Sequence, residues 1–407
     1  MQNLDCQVAV IGAGPAGLAA ALSLSALGVE VTLAAPAFDP ARNAGDRRTT
    51  ALLNASIELL RNLGVWPLCE GESAPLAGIR IIDDRGGLLR APEILFEAGE
   101  LGLTSFGANI PNPALNTALN RVAETAPRLM RCATSAVTAV KCGPDRVRLE
   151  LAEGGRITAG MAVAADGRNS IARAAAGIST RTWAYPQCAI ATSFRHAQAH
   201  GGITVELHRP HGPLTTVPMP GSASSLVWVE EPAEAGRLAG LDEAAFAAEL
   251  EQRLQGLLGA ITGVTPRALY PLSGLTADCM GRSRVALVGE AGHIFPPIGA
   301  QGLNLGLRDA AALAECVADA CRRGVDAGSP ATLQAYGRAR TADVFTRTLS
   351  VDLLNRSLLV GFLPVQAMRG AGLHLLANIP SLRRLVMQAG MAPAGPLPRL
   401  MQPGAMA

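Results

Sequence analysis

Gly12-Ala13-Gly14-Pro15-Ala16-Gly17 is the stretch that decides the fold. Before it, Gln7 to Ile11 is a short apolar run that suits a buried parallel strand. After it, an Ala/Leu-rich segment from Leu18 to about Leu27 reads as a helix stopped by Gly28, and Val29 to Leu33 alternates as a second strand. A G-x-G-x-x-G in that setting predicts dinucleotide binding. Gly12 permits the tight turn, Gly14 lets the backbone approach a pyrophosphate, and Gly17 lets helix pack close to strand. The helix start adds free N–H groups and a positive dipole end. One expected feature is missing. The second strand ends Leu33-Ala34-Ala35-Pro36, where an acidic residue should bond the ribose hydroxyls. Asp39 follows, but beyond Pro36.

Two further motifs lie outward along the chain. Val147 to Ala165 reads as a hairpin that turns at Glu153-Gly154-Gly155 and ends in the apolar strand Met161 to Ala165. Asp166-Gly167-Arg168-Asn169-Ser170-Ile171-Ala172-Arg173 comes next, a sharp turn by its Asp-Gly pair. The third motif follows a strand at Arg284 to Val288. It runs Gly289-Glu290-Ala291-Gly292-His293-Ile294-Phe295-Pro296-Pro297-Ile298-Gly299-Ala300-Gln301-Gly302-Leu303-Asn304-Leu305-Gly306. A helix then begins. Leu303, Leu307, Ala310, Ala314, Val317 and Cys321 give it one apolar face, and Gly324 ends it. A Gly/Pro loop thus delivers N–H groups at a helix start, a second anion-favouring site.

The whole chain sets bounds on these motifs. Its 407 residues allow two to three domain equivalents and a large core. Half of it, 49%, is hydrophobic and only 17% is charged, against about 25% in average soluble proteins. No window supports a spanning helix: the most apolar stretch, Leu358 to Met368, is about half of the roughly 20 residues required. A net charge of +2 and 3% aromatics exclude a basic, base-stacking nucleic-acid binder. Eight dispersed cysteines without C-x-x-C suit a reducing compartment. The N-terminus shows no signal-peptide pattern, so a cytoplasmic location is expected.

Taken together, the G-x-G-x-x-G, D-G-x-x-S-x-x-R and G-[D/E]-A-x-H-x-x-P-P-x-G-x-x-G-L-N motifs resemble the flavoprotein monooxygenases of the para-hydroxybenzoate hydroxylase fold. Finer matches resemble one branch, the ubiquinone-biosynthesis hydroxylases of the UbiH type. These are Arg48-Thr49-Thr50-Ala51-Leu52, Leu63-Gly64-Val65-Trp66, Asn112-Pro113-Ala114-Leu115, His211-Gly212-Pro213-Leu214, Ser225-Leu226-Val227-Trp228, Tyr270-Pro271-Leu272 and Gly302 to Asp309.

The resemblance implies an α/β fold. A Rossmann-like FAD-binding domain would be assembled from 1–75, 100–180 and 275–340. A β-sheet substrate cap would comprise 76–99 and 181–274, with a helix at about Asp242 to Leu258. A C-terminal helical region would span 341–392, with a frayed tail at 393–407. Gly12, Gly14, Ala16 and Gly17 would hold the FAD pyrophosphate. Arg48 and Asn112 would lie along the flavin. Asp166 and Gly167 would serve the pyrophosphate region and the nicotinamide cofactor. Glu290, where the family has Asp, would bond the ribityl hydroxyls. Pro297 and Gly299 would abut the flavin, and Gly302, Leu303 and Asn304 would present backbone to its pyrimidine end. Pro297 and Gly302 are the candidates nearest the chemistry. Ala35, Glu290 and Gly292 depart from the family pattern, and weaker FAD binding is expected.

The activity implied is aromatic-ring hydroxylation with O2, through NAD(P)H as transient reductant and a flavin C4a-hydroperoxide. The substrate implied is a hydrophobic prenylated phenol. The helix starting near Asn304 would favour the anionic reduced flavin by about 0.3–2 kcal/mol. The stiff Pro296-Pro297 loop would shield the site from water. Hydroxylation of a small soluble aromatic compound, or a flavin-poor subunit of a ubiquinone-synthesis assembly, are the alternatives. No general base stands out: His208, His211 and Tyr270 read as structural or surface residues, and His293 as a loop hydrogen-bonder. His196 and His200 have i,i+4 spacing without a third ligand, so no metal site is expected.

The C-terminal region carries the remaining apolar excess. Leu353, Leu354, Leu358, Leu359, Phe362, Leu363, Leu373, Leu375 and Leu376 supply it, broken at Gly361 and Pro364. It reads as a helical pair on the FAD domain, or as a peripheral docking face for a membrane, a partner protein or a prenyl tail.

Overall fold

The computed structural model describes residues 3–84, 92–359, 372, 374–391 and 395–405. Strand β1 (Asn3–Ile11), helix α1 (Pro15–Ala26) and strand β2 (Val31–Ala35) form the opening unit. β1 and β2 pair in parallel, Val8 opposite Val31 and Ile11 opposite Ala34. α1 is apolar all round, with buried residues running unbroken from Gly17 to Ser25. A helix of that composition must be covered on all sides. It lies in the same core as the helix of the third motif.

Strand β3 (Thr49–Leu53) pairs antiparallel with Gly107–Pro111 in a small three-stranded sheet beside the first. Two strands, β4 (Gly78–Asp83) and β5 (Ile94–Glu97), leave for the second large sheet. The chain returns, and β6 (Arg156–Ala164) pairs in parallel with β1 on the side away from β2. The Rossmann-like sheet is thereby centred on β1, with the first motif at its carboxyl end.

The cap sheet holds β7 (Thr180–His196), β8 (Ile203–Arg209), β9 (Gly212–Met219), β10 (Ala223–Glu230) and β11 (Ala268–Ala277), with β4 and β5 at its edge. β4 joins in parallel, Ile79 opposite Thr204. One face is sealed by helix α2 (Glu243–Leu254), whose Phe246, Leu250 and Leu254 pack on Ile190, Phe194 and Trp228. Asp242 caps α2, its side chain accepting from Ala245 N–H. The helix stops at Leu254, short of the expected Leu258, because Gln255 turns left-handed at φ 52°.

Strand β12 (Val285–Leu287) returns to the first sheet and β13 (His293–Ile294) hydrogen-bonds to β11 of the cap. The third motif therefore bridges both sheets. Helix α3 (Gln301–Arg322) follows, then the 30-residue helix α4 (Pro330–Leu359). A last helix, α5 (Pro380–Met391), is tied to α4 by Arg347, which donates to Gly390 O and Ala389 O at 2.9 and 3.0 Å. Leu353 of α4 is exposed, as is Leu375 ahead of α5, and Leu376 packs against the cluster that holds Met387. The side chains of Leu354, Leu358 and Leu359, and the residues Gly361, Phe362, Leu363, Pro364 and Leu373, lie outside what is described. No helix among the described residues is long and apolar enough to cross a membrane.

The expected frayed end is corrected. Leu400 and Met401 are buried in the main core. Asn62 donates to Leu400 O and Gln402 O, and Leu400 N–H donates to Glu315 at 2.8 Å. Two apolar side chains and a set of backbone partners are enough to dock a Pro-rich segment. His196 and His200 are also not on a helix. His196 ends β7, its ring bonded to Gln198 O and Ser224 Oγ, and His200 bonds Met219 O from the loop beyond.

Candidate active site

The turn after β1 is shaped by absent side chains. Gly12 has φ +103°, and a Cβ there would sit 2.4 Å from Ala165 O. A Cβ on Gly17 would sit 2.1 Å from Gly12 O. Chain packing alone therefore demands both glycines. Gly14 differs: a Cβ there would meet nothing within 4 Å, so its open side is free for a ligand. Ala16 packs where Gly289 and Gly306 come closest, each of whose added Cβ would lie 3.3 Å from it. The first and third motifs thus touch.

Asp166 follows β6 at the same edge. Its Oδ2 accepts from Ile171 N–H at 3.0 Å, opening the next helical turn. Its Oδ1 is buried and has no partner. Gly167 takes φ +80° to make the turn. Ala35 lines a cavity of about 300 Å³ with Ala13, Leu33, Ala133, Glu124 and Arg131. A carboxylate, Glu124, is therefore present beside the site where β2 lacks one. It stands a helix away in sequence, so the strand-end rule does not find it.

Arg48 and Asn112 meet because β3 and Gly107–Pro111 pair with Thr49 opposite Pro111. Asn112 N–H donates to Arg48 O at 3.0 Å. Asp46 joins the side chains. Arg48 donates to both its oxygens at 2.9 and 2.8 Å, and Asn112 Nδ2 donates to it at 3.2 Å. Thr50 Oγ1 donates to Asn112 Oδ1 at 2.7 Å, which fixes the amide's orientation. Burial alone would raise the Asp46 carboxyl, but the hydrogen bonds from Arg48 and Asn112 outweigh it and hold it at about 2. Asp46 raises the Arg48 pKa through its hydrogen bonds, and Tyr270 and Glu290 add to this electrostatically. Arg48 also lies over the Tyr270 ring, 6.0 Å from its centroid. Tyr270 is exposed, as a surface residue is expected to be, and it also lines the cavity beside Arg48. Asp46 has no signal in the sequence, because its spacing from Arg48 carries no motif.

The loop from Gly289 to Ala300 is held from behind. Asp309, fully buried on α3, accepts from Gly289 N–H at 3.0 Å, and the same oxygen lies 2.7 Å from His293 Nε2. Its other oxygen accepts from Arg340 Nε of α4 at 2.7 Å. Arg340 and Arg308 both donate to Asp343, at 3.0 and 2.6 Å. Burial would raise the Asp309 carboxyl, yet His293 and Arg340 outweigh it and keep it low. From the front, Asn304 stitches α3 to β3. Its Oδ1 accepts from Leu53 N–H at 2.9 Å, and its Nδ2 donates to Ala51 O and Ala300 O. Its side chain is consumed in this stitch, so only its backbone is left for a ligand.

The start of α3 has no side-chain cap, and Ala300 before it is left-handed at φ 54°. Uncapped first-turn N–H groups and the helix dipole make a built anion site. Gly302 is exposed there with open space at its Cβ position, Gly299 and Pro297 are exposed, and Leu303 is half-buried. Glu290, within the same loop, is exposed.

Between this loop and the cap lies a cavity of about 650 Å³. Ala189, Val227, Tyr270 and Leu272 form its cap wall, and Phe295, Pro296 and Pro297 the opposite wall. Arg48 stands at its edge. His208 and His211 are elsewhere, paired with Glu206 and Glu231.

A glycine cradle, an orphaned carboxylate oxygen and an uncapped helix start on one groove fit a flavin dinucleotide. This is the class of FAD-dependent monooxygenases. Residues 5–348 match the FAD binding domain family. The chain is 36% identical to ubiquinone hydroxylase UbiL of Rhodospirillum rubrum, over 97% of this chain and 92% of that protein. It is 30% identical to the 3-demethoxyubiquinol 3-hydroxylase of Escherichia coli, over 95% and 99%. The solved structure of p-nitrophenol 4-monooxygenase PnpA from Pseudomonas putida shares the fold, with TM-score 0.78 at 19% identity over 97% and 100% of the two chains. The chain belongs to the ubiquinone-biosynthesis hydroxylase family, and it is an FAD-dependent aromatic hydroxylase.

Proposed function

We propose that this chain hydroxylates the aromatic ring of a polyprenylated phenol on the path to ubiquinone, with NAD(P)H as transient reductant. The observation that carries this reading is the cavity between the cap sheet and the Pro296-Pro297 loop, which sets an apolar wall of Ala189, Val227, Leu272 and Phe295 against a polar one with Arg48, Arg168 and Arg267. The relatives named for reactions on ubiquinone and demethoxyubiquinol support the same substrate class.

FAD, when bound, supplies the activation of O2 and delivery of one oxygen atom to the ring. The chain supplies the rest. Gly12, Gly14, Ala16 and Gly17 would set the pyrophosphate path, and the free Asp166 Oδ1, beside Gly167, would accept from a hydroxyl or N–H of the bound FAD or of the nicotinamide cofactor. Glu290 would hold the ribityl hydroxyls. The backbone at Gly302, Leu303 and Asn304 would hold the pyrimidine end, where N–H donors at a helix start favour negative charge. Pro297, with Pro296 before it and Gly299 beside it, would bring a stiff wall with two N–H-free residues to the reacting edge, which keeps water out. Arg48 and Asn112, fixed by Asp46, line the flavin edge. The domain limits follow the same reading: 1–75, 100–180 and 275–340 carry the cofactor, 76–99 and 181–274 the substrate. The exposed Phe345, Leu349, Leu353, Leu385 and Val386 suit contact with the inner membrane face or with a ubiquinone-synthesis complex.

The test uses purified protein, FAD, NADPH, 18O2 and a prenylated phenol. The expected result is a ring-hydroxylated product carrying one 18O. A protein that shows no flavin spectrum in excess FAD, or a deletion strain with an unchanged quinone profile, overturns the reading.

A further inference from the structure

We infer that Ser225, on the cap side of the active-site cavity, is the hydroxyl that receives the phenol oxygen of the ring substrate, and that Thr49 and Asn109 position it. The inference rests on the proposed reaction with a phenol.

The pleat of the cap sheet decides where Ser225 faces. On β10, Leu226 and Trp228 pack in the core under α2. Alternate residues face opposite sides, so Ser225 and Val227 face the cavity, and both line it. The neighbouring strand agrees: Val227 stands opposite Ala191 of β7, which also lines the cavity. On the small three-stranded sheet, Thr49 pairs with Pro111 and Ala51 with Asn109, so Thr49 and Asn109 share a face. That face meets Ser225.

The hydrogen bonds at this junction leave Ser225 with one role. Thr49 Oγ1 donates to Ser225 Oγ at 2.8 Å, and Asn109 Nδ2 donates to it at 3.4 Å. The same Nδ2 donates to Pro218 O at 2.9 Å. A carbonyl oxygen can only accept, so the Asn109 amide is locked with its NH2 group toward Pro218 and Ser225. Its Oδ1 is buried without a partner. A hydroxyl has two lone pairs and one proton. Both lone pairs of Ser225 are taken, and its proton has no acceptor among the described residues. Ser225 can therefore offer a ligand only a donor.

The charges around it favour an anionic acceptor. Arg47, Arg48, Arg168 and Arg267 line the cavity against one carboxylate, Asp46, which already serves Arg48 and Asn112. A fixed donor beside such a wall stabilises an ionised phenol oxygen over the neutral form. The phenol proton is left to bulk water as the anion binds. Tyr270 is the rival hydroxyl in the cavity, but it is 40% exposed, whereas Ser225 is 5% exposed and held by two donors. A donor fixed before the ligand arrives costs no reorganisation. An ionised phenol is the more reactive ring toward oxygen transfer. Holding its oxygen at Ser225 also fixes which ring carbon turns to the Phe295–Pro297 wall.

The test reads ionisation directly, on the oxidised holoenzyme. The probe is 2-geranyl-4-nitrophenol, whose anion absorbs visible light. Bound to the wild type, it should lose its proton about one pH unit or more below its midpoint in buffer. Ser225→Ala should move that midpoint back up by about one unit and weaken binding of the anion about tenfold to a hundredfold, the loss of one hydrogen bond to a charged partner. Thr49→Val removes the holding donor and should give part of the same shift, with Thr49→Ser restoring the wild-type midpoint. This pair carries the test if Ser225→Ala fails to hold flavin. An unshifted midpoint in the wild type overturns the inference, as does a Ser225→Ala that ionises the probe as the wild type does. A shift lost in Tyr270→Phe but kept in Ser225→Ala gives the contact to Tyr270 and overturns it too. With NADPH and a prenylated phenol, Ser225→Ala should lower kcat/KM about tenfold or more and hydroxylate more than one ring carbon. A wild type that shifts the probe but hydroxylates no phenol defeats the proposed reaction and leaves the Ser225 contact standing. Hydroxylation by the wild type, unchanged in rate and ring position in Ser225→Ala, does the reverse.

Discussion

The two walls of the cofactor groove are held by opposite means. The turn after β1 is made by missing atoms: Gly12 and Gly17 exist because a Cβ would collide with Ala165 O and Gly12 O. The loop before α3 is made by added atoms, a buried set of charges that reaches from Asp309 to Arg340 and Asp343. The first wall is six consecutive residues packed on the backbone at Ala165. The second depends on a helix, α4, that begins well after the loop ends. A wall made by close backbone packing is stiff, whereas one made by distant charged side chains can be unfastened at a distance.

The largest expected effect comes from breaking the second wall. Asp309→Ala leaves Arg340, His293 and the Gly289 N–H without their shared acceptor. Removing one partner from a buried ionic set costs about 3–5 kcal/mol. A denaturant melt should show this loss together with loss of bound flavin. A variant as stable as the wild type would mean that the loop is held by something else.

Breaking the first wall comes next. Gly17→Ala forces a Cβ against backbone, and such overpacking costs about 1–3 kcal/mol. Thermal melting reads it. Gly14→Ala sharpens the comparison, because its Cβ enters open space. The expected outcome is an unchanged melt with FAD affinity lowered about tenfold or more, measured by flavin fluorescence titration. Equal FAD affinity in Gly14→Ala would show that the cofactor does not pass there.

The smallest effect belongs to the rim. The folded Asp46 titrates at about 2, below an unfolded carboxyl. Its stabilisation is therefore full above about pH 4 and is lost as pH falls through about 2. The pair with Arg48 is partly exposed, so solvent screening leaves less than about 1 kcal/mol. Asp46→Asn should flatten that acid limb of the stability curve and barely change stability at neutral pH. A loss of several kcal/mol at pH 7 would assign Asp46 to the buried set instead.

The same contrast explains what the sequence disclosed. The G-x-G-x-x-G turn, the Asp166-Gly167 turn and the Gly289–Gly306 loop were legible because each is local: turn chemistry and a flanking strand sit within twenty residues. α3 was legible from its apolar face. Glu124, Asp46 and Tyr270 were not, because their roles come from strands and helices that meet only in space. Asp309 lay inside a quoted motif, but nothing in a helical pattern says that Arg340 and Asp343 will face it. The docked end at Leu400 and Met401 looked like a frayed tail because proline richness hides two well-placed apolar side chains.

The parallel seat of β4 beside β8 also bears on how the protein is born. Ile79 leaves the ribosome long before Thr204, its partner in the sheet. At about 5–20 residues per second the wait is on the order of ten seconds. During it the Ile79-Arg80-Ile81-Ile82 strand has an open edge and no sheet to join. The slowest and most chaperone-dependent moment of synthesis should therefore fall before β8 emerges. A nascent chain halted there should be more prone to aggregate than one halted after Glu230.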